Sequence, residues 1–182
     1  MARAASTLPL RALLACACAA LSVVARIDMA LSMEPQPIKV AVYAFELEDF
    51  SAGGGIIAPD ERDAAYLEQA TQEARRLLGE SGRYSIVDTS GAPDEPVKAH
   101  KMRACGGCVG PITRKLGADQ AVIGTLTRIN RTEYTLLVQF FDAGTGAPVA
   151  NYFTGLRMGA NYAWWRGVRS LMQNRILARP RT

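Results

Sequence analysis

The sequence predicts an α/β chain, α+β-like in its second half, with the element order β-α-β-α-β-β-β-α and a mixed sheet covered by helices. Three observations carry this. Two short β-branched runs, Lys39–Phe45 and Tyr84–Asp88, flank one long stretch of helical periodicity. A strand, a helix and a strand in succession call for a parallel pair. Three further strands, Ala121–Ile129, Tyr134–Phe141 and Val149–Thr154, are separated only by short polar turns and must run antiparallel.

The elements follow in order. Met33–Pro37 holds two prolines and no periodicity, so it reads as a leader. Lys39–Phe45 is the first strand. Glu46, Glu48 and Asp49 then carry the chain into a loop around Gly53-Gly54-Gly55, and carboxylates at a strand end are expected to be solvated. Asp60 is the expected N-cap of the first helix, with Asp63 three residues on. Ala64, Leu67, Ala70, Ala74, Leu77 and Leu78 form its apolar stripe, and Gly79 and Gly82 stop it. A polar stretch follows the second strand, with a short helical turn near Pro96–Lys101. A short helix from Pro111 to Leu116 ends at Gly117. Asn130-Arg131-Thr132 and Asp142–Gly146 are turns by composition. The last helix, with Asn161 as expected cap, places Trp164, Val168, Leu171, Met172 and Ile176 on one face.

The N-terminus has the three parts of an export signal. Arg3 and Arg11 are the basic part, residues 12–25 the apolar run, and Ala30-Leu31-Ser32 the small-residue site, so cleavage is expected near Ser32. The apolar run is short of the roughly 20 residues of a spanning helix. A retained anchor, or lipidation at Cys16 after Leu13-Leu14-Ala15, is the alternative. Residues 33–182 are then one domain with a flexible tail at 178–182, expected in the periplasm. Removing the leader takes away three arginines and one aspartate, so the formal charge falls from +4 to +2. Basic and acidic residues interleave over most of the chain, which argues against nucleic acid as a partner.

Cys105-Gly106-Gly107-Cys108 would be the mature chain's only thiols, in a compartment where disulfides form. Three chemistries are open: a structural disulfide, which leads, a redox-active dithiol at the start of a helix, or a metal site. His100 could add one ligand at most, so neither a metal nor a cofactor is expected. A thioredoxin-like site would need a helix between the third and fourth strands and a facing cis-proline, and both are missing. No phosphate loop or catalytic triad appears. In the last helix, Trp164 and Trp165 point about 100° apart, so both can hardly share the packing stripe. Trp164 continues that stripe. Trp165, beside Arg166 and Arg169, is either a partner anchor or a second indole packed at a sheet edge.

Phe45-Glu46-Leu47-Glu48-Asp49, Cys105–Cys108, Leu116-Gly117-Ala118-Asp119, Gly124-Thr125, Asp142–Gly146 and Trp164-Trp165-Arg166-Gly167 together resemble a proteobacterial family of exported proteins of unknown function. The chain departs from that pattern at Ala44, Phe141 and Met158-Gly159, where an acid, an arginine and Gly-Asn are usual. More distantly, Leu116–Thr125 followed by Asp142–Gly146 is similar to TolB amino-terminal-like domains, and to curli-secretion and penicillin-binding-protein-activator lipoprotein domains. The resemblance implies an envelope domain that binds a protein partner and turns over no substrate. A periplasmic thiol–disulfide protein using Cys105 and Cys108 is the alternative.

Overall fold

Val40 and Val42 point to one side of the first strand, Ala41 and Tyr43 to the other, and all four are buried. A strand buried on both faces belongs in the middle of a covered sheet. The computed structural model, which describes residues 36–55, 60–92, 94–157 and 164–178, puts it there. The strands are β1 (Ile38–Val42), β2 (Glu46–Asp49), β3 (Tyr84–Val87), β4 (Gln120–Arg128), β5 (Glu133–Asp142) and β6 (Pro148–Arg157). Their order is β3-β1-β4-β5-β6, with β2 also against β4. β1 runs parallel to β3 and β4, and β4, β5 and β6 form the antiparallel meander that the short turns demanded. All belong to one compact unit, Pro37–Thr182.

β2 is a separate strand that the sequence pattern does not announce, and its carboxylates, expected to be solvated at a strand end, are paired with arginines instead. The chain leaves β4 only briefly after Tyr43, whose N–H still donates to Val122. The N–H of Phe45 then donates to Thr71 Oγ1 at 2.9 Å, and Arg75 donates to the carbonyl of Val42 at 2.8 Å. Both partners lie on the first helix, so the interruption leaves these polar groups satisfied. From Glu46, which faces Thr125, the chain pairs with β4 again. The ring of Phe45 fills the space beside Gly124, where an added Cβ would come within 2.4 Å of it.

The helices are α1 (Glu61–Glu80), α2 (Glu95–Lys98), α3 (Val109–Lys115) and α4 (Trp164–Leu171), with a 3-10 turn at Met102–Ala104 and a π-helical turn extending α4 over Met172–Ile176. Asp60 caps α1, accepting from the N–H of Arg62 at 2.9 Å. Ala70, Ala74, Leu77 and Leu78 are buried as the stripe requires, but Ala64 is exposed. Asp63 is turned inward instead, because Arg128 of β4 meets its carboxylate at 2.6 Å.

α1 and α4 pack on one face of the sheet, in a core with Val40, Val42, Val122, Leu126, Leu136 and Val138. α3 and the turn before it pack on the other, against Ala41, Tyr43, Ala121 and Ile123. The five residues expected on the inner face of the last helix are all buried. The expected cap Asn161, the leader with its cleavage site near Ser32, the lipidation alternative at Cys16 and most of the expected tail lie outside the described residues. Among the described residues no helix is long and apolar enough to cross a membrane.

Candidate functional site

Where α4 begins, the two adjacent indoles diverge as helix geometry requires. Trp164 has no exposed surface and lies between Tyr66 and Tyr134, with ring centroids 5.7 Å from each. Gly167 lets α4 close on the sheet, since a Cβ there would come within 2.6 Å of the Leu156 side chain on β6. Trp165, rotated onward around the helix, is half-exposed.

Trp165 lines an open groove of about 370 Å³ whose other residues, Glu68, Gln69, Gln72, Glu73 and Arg76, all come from α1. The guanidinium of Arg169 lies 4.6 Å from the centre of its ring and that of Arg166 5.3 Å. Glu73 sits almost buried beside them. It accepts from Arg76 at 2.9 Å and from Arg169 Nε at 2.6 Å. The hydrogen bonds from Arg76, then that from Arg169, hold its carboxylate down at about 2. Arg169 is thus fixed in place, while Arg166 is exposed and has no carboxylate partner among the described residues.

The chemistry available here is recognition. The groove offers the Trp165 indole, the Arg76 guanidinium and a rim of amides and carboxylates, with Arg166 and Arg169 beside the indole. Trp165, Arg166 and Arg169, grouped from the sequence, are brought together as a cluster. Glu68, Gln69, Gln72, Glu73 and Arg76 were missed. Their only sequence signal is a Glu and an Arg three residues apart on one helix face.

Cys105 and Cys108 lie on the opposite face and are disulfide-bonded. Cys108 is the N-cap residue of α3. Both are half-buried against a small cluster with Met102, Val109, Ile112 and Phe141. Phe141 adds its ring to that cluster, so the surroundings of the bridge are apolar. His100 is exposed, and among the described residues no group of three or more His, Cys, Asp or Glu is placed to hold a metal.

The carboxylates of β2 are paired with arginines, Glu46 nearly buried and Glu48 and Asp49 partly exposed. Glu46, only 7% exposed, accepts from the N–H of Arg103 at 3.0 Å, and Arg103 Nη2 meets Glu48 at 2.5 Å. Burial pushes the Glu46 carboxyl up, against the lowering effect of the Arg103 N–H and charge. Asp49 meets Arg128 at 2.7 Å, so Arg128 bridges β2 and α1.

The other motifs close turns. The carboxylate of Asp142 accepts from the N–H of Thr145 at 2.7 Å and from its hydroxyl at 2.9 Å. Asp119 accepts from the N–H of Lys39 at 3.1 Å, which ties the start of β4 to β1. These residues position the sheet ends and offer no free chemistry.

No curated protein sequence matches the chain. Among solved structures it is similar to the C-terminal domain of LpoB from Salmonella enterica, at 12% identity and a TM-score of 0.49, over 73% of this chain and 92% of that one. It is similar to lipoprotein GNA1162 from Neisseria meningitidis at 17% identity and a TM-score of 0.49, over 80% of this chain and 100% of that one. TolB from Acinetobacter baumannii matches at 12% identity and a TM-score of 0.41, over 76% of this chain and 29% of that one. Likeness at this level says nothing of what the chain binds. The motif resemblance has a firmer counterpart: residues 38–176, from β1 to the end of the last helical turn, match the profile of DUF3280, described as a protein of unknown function (DUF2380), and the chain belongs to that family.

Proposed function

We propose that the chain is a non-enzymatic accessory domain of the periplasm that binds another cell-envelope protein through Trp165, Arg166 and Arg169. One observation carries this reading. Trp165 is left half-exposed in a groove with two guanidinium groups over its ring, whereas its neighbour Trp164 is wholly buried. A partly exposed indole supplies large contact area at low entropic cost, and Trp and Arg are the residue types that dominate binding energy at interfaces. Export is supported by the leader pattern of residues 1–32.

The test is capture from the envelope fraction of the native cell, with the chain as bait. Trp165→Ala should lose most of the captured partner with little change in the melting curve, and Arg166→Glu should do the same. Equal capture by all three proteins refutes the site.

A second reading is a periplasmic thiol–disulfide protein using Cys105 and Cys108. It is favoured by the place of Cys108 at the start of α3, where peptide dipoles stabilise a thiolate.

A further inference from the structure

The helices cover the two faces of the sheet unequally. On the α3 side the cluster reaches β1 and β4 and touches Phe141 at one end of β5. Beyond it, Leu137 of β5 is only half-buried, and Val149 and Phe153 of β6 are each 56% exposed. β6 is also an edge strand. Among the described residues it pairs only with β5, so the N–H and C=O groups along its outer side have no ladder partner.

Edge strands are ordinarily protected by a charge, a proline, a bulge or a cover. Among the described residues the protection is confined to the ends. Pro148 and the register shift at Phe140/Phe141 blunt one end, and Arg157 stands at the other. From Val149 to Leu156 there is neither a charged residue nor a proline.

We propose that β6 pairs antiparallel with β6 of a second copy of this chain, about a two-fold axis at Phe153, to make one sheet continuous across both copies. The strand is its own complement in that register. Because the axis stands normal to the sheet, each residue keeps its face. On the open face Phe153 meets Phe153 of the second copy, Asn151 meets Gly155, and Val149 meets Arg157. On the helix-covered face Tyr152 meets Thr154 and Ala150 meets Leu156.

Two features favour a second copy over a strand of some other protein. The residue opposite Phe153 within one copy is Leu137, so the row through the axis becomes Leu137, Phe153, Phe153, Leu137, apolar throughout. The only charged residue of the paired segment, Arg157, lands on Val149 and not on another arginine, so no like charges confront each other. Aromatic pairs directly opposed on one sheet face are among the more stabilising cross-strand contacts. Moving the axis by one residue breaks the Phe153 pair. Moving it by two toward Asn151 shortens the ladder against Pro148.

The groove at Trp165 takes no part in this contact, so the two sites are tested separately. Sedimentation velocity of the full chain, as its host produces it, over a concentration series should show a monomer–dimer equilibrium. Phe153→Lys should weaken it by at least about tenfold while leaving the melting curve in place, since the side chain is exposed. Phe153→Cys, treated with diamide, should couple to itself. Asn151→Cys, which faces Gly155, should not. A wild-type chain that sediments as a monomer at every concentration, its edge left for another protein's strand, overturns the proposal. So does undiminished association of Phe153→Lys, or equal coupling of both cysteine variants.

Discussion

On one face of the sheet α1 and α4 enclose a continuous core in which Leu78, Trp164 and Met172 have no exposed surface. On the other, α3 and the disulfide-bonded loop shelter a smaller cluster and leave Phe153 and Val149 more than half open. The first face is closed by the chain's own residues, and what it presents outward is the polar rim of the Trp165 groove. The second is closed only in part, and its bare half adjoins a strand that, among the described residues, pairs only with β5. Cover over β1 and β4 holds the fold on both faces, whereas β6 is left largely uncovered on the α3 side.

The most severe way to break this contrast is Trp164→Ala. It empties the place between Tyr66 and Tyr134 and should lower the unfolding free energy by about 3–5 kcal/mol in denaturant titration. If the loss is as large for Trp165→Ala, both indoles are core and the two-role reading of α4 fails.

Gly124→Ala comes next, at about 1–3 kcal/mol, because its Cβ would be driven into the buried Phe45 ring. Combining it with Phe45→Leu should recover part of that loss. If the double variant is no better than the single one, the strain lies elsewhere.

The disulfide face should prove more tolerant. Cys105→Ser with Cys108→Ser opens a ring with only two residues between the cysteines, which removes little chain entropy, and should cost about 1–2 kcal/mol. A structural bridge should also have a reduction potential below about −300 mV. A potential in the range of known oxidoreductases, with thiol-oxidase turnover lost in Cys105→Ser, would favour the redox reading.

The smallest effect is the acid dependence of the groove. Glu73 is held below its ordinary value of 4.5, at about 2, by Arg76 and Arg169. Its contribution to stability is therefore present above that ordinary value and is lost as pH falls through about 2. Because both arginines are partly in water, the contribution is modest. Denaturant titrations of the wild type and Glu73→Gln should differ at pH 5 and converge as the pH approaches 2.

The sequence alone determined the elements whose signal is local. The stripe from Ala70 to Leu78, the face from Trp164 to Ile176, the N-cap at Asp60 and the turn closed by Asp142 and Thr145 depend on neighbours within a few residues, so periodicity and residue type suffice. The divergence of Trp164 and Trp165 is legible for the same reason, since helix geometry fixes it. What only the tertiary structure decided is what depends on partners far along the chain. Glu46-Leu47-Glu48-Asp49 carries the charge of a loop yet forms a strand, because Arg103 and Arg128 reach its carboxylates from distant elements. Ala64 gives up its inward place for the same cause, the reach of Arg128 to Asp63. The α1 half of the Trp165 groove and the bare edge of β6 follow from how helices and strands are laid over one another. A one-dimensional pattern sets which residues share a face, but not what is brought to cover it.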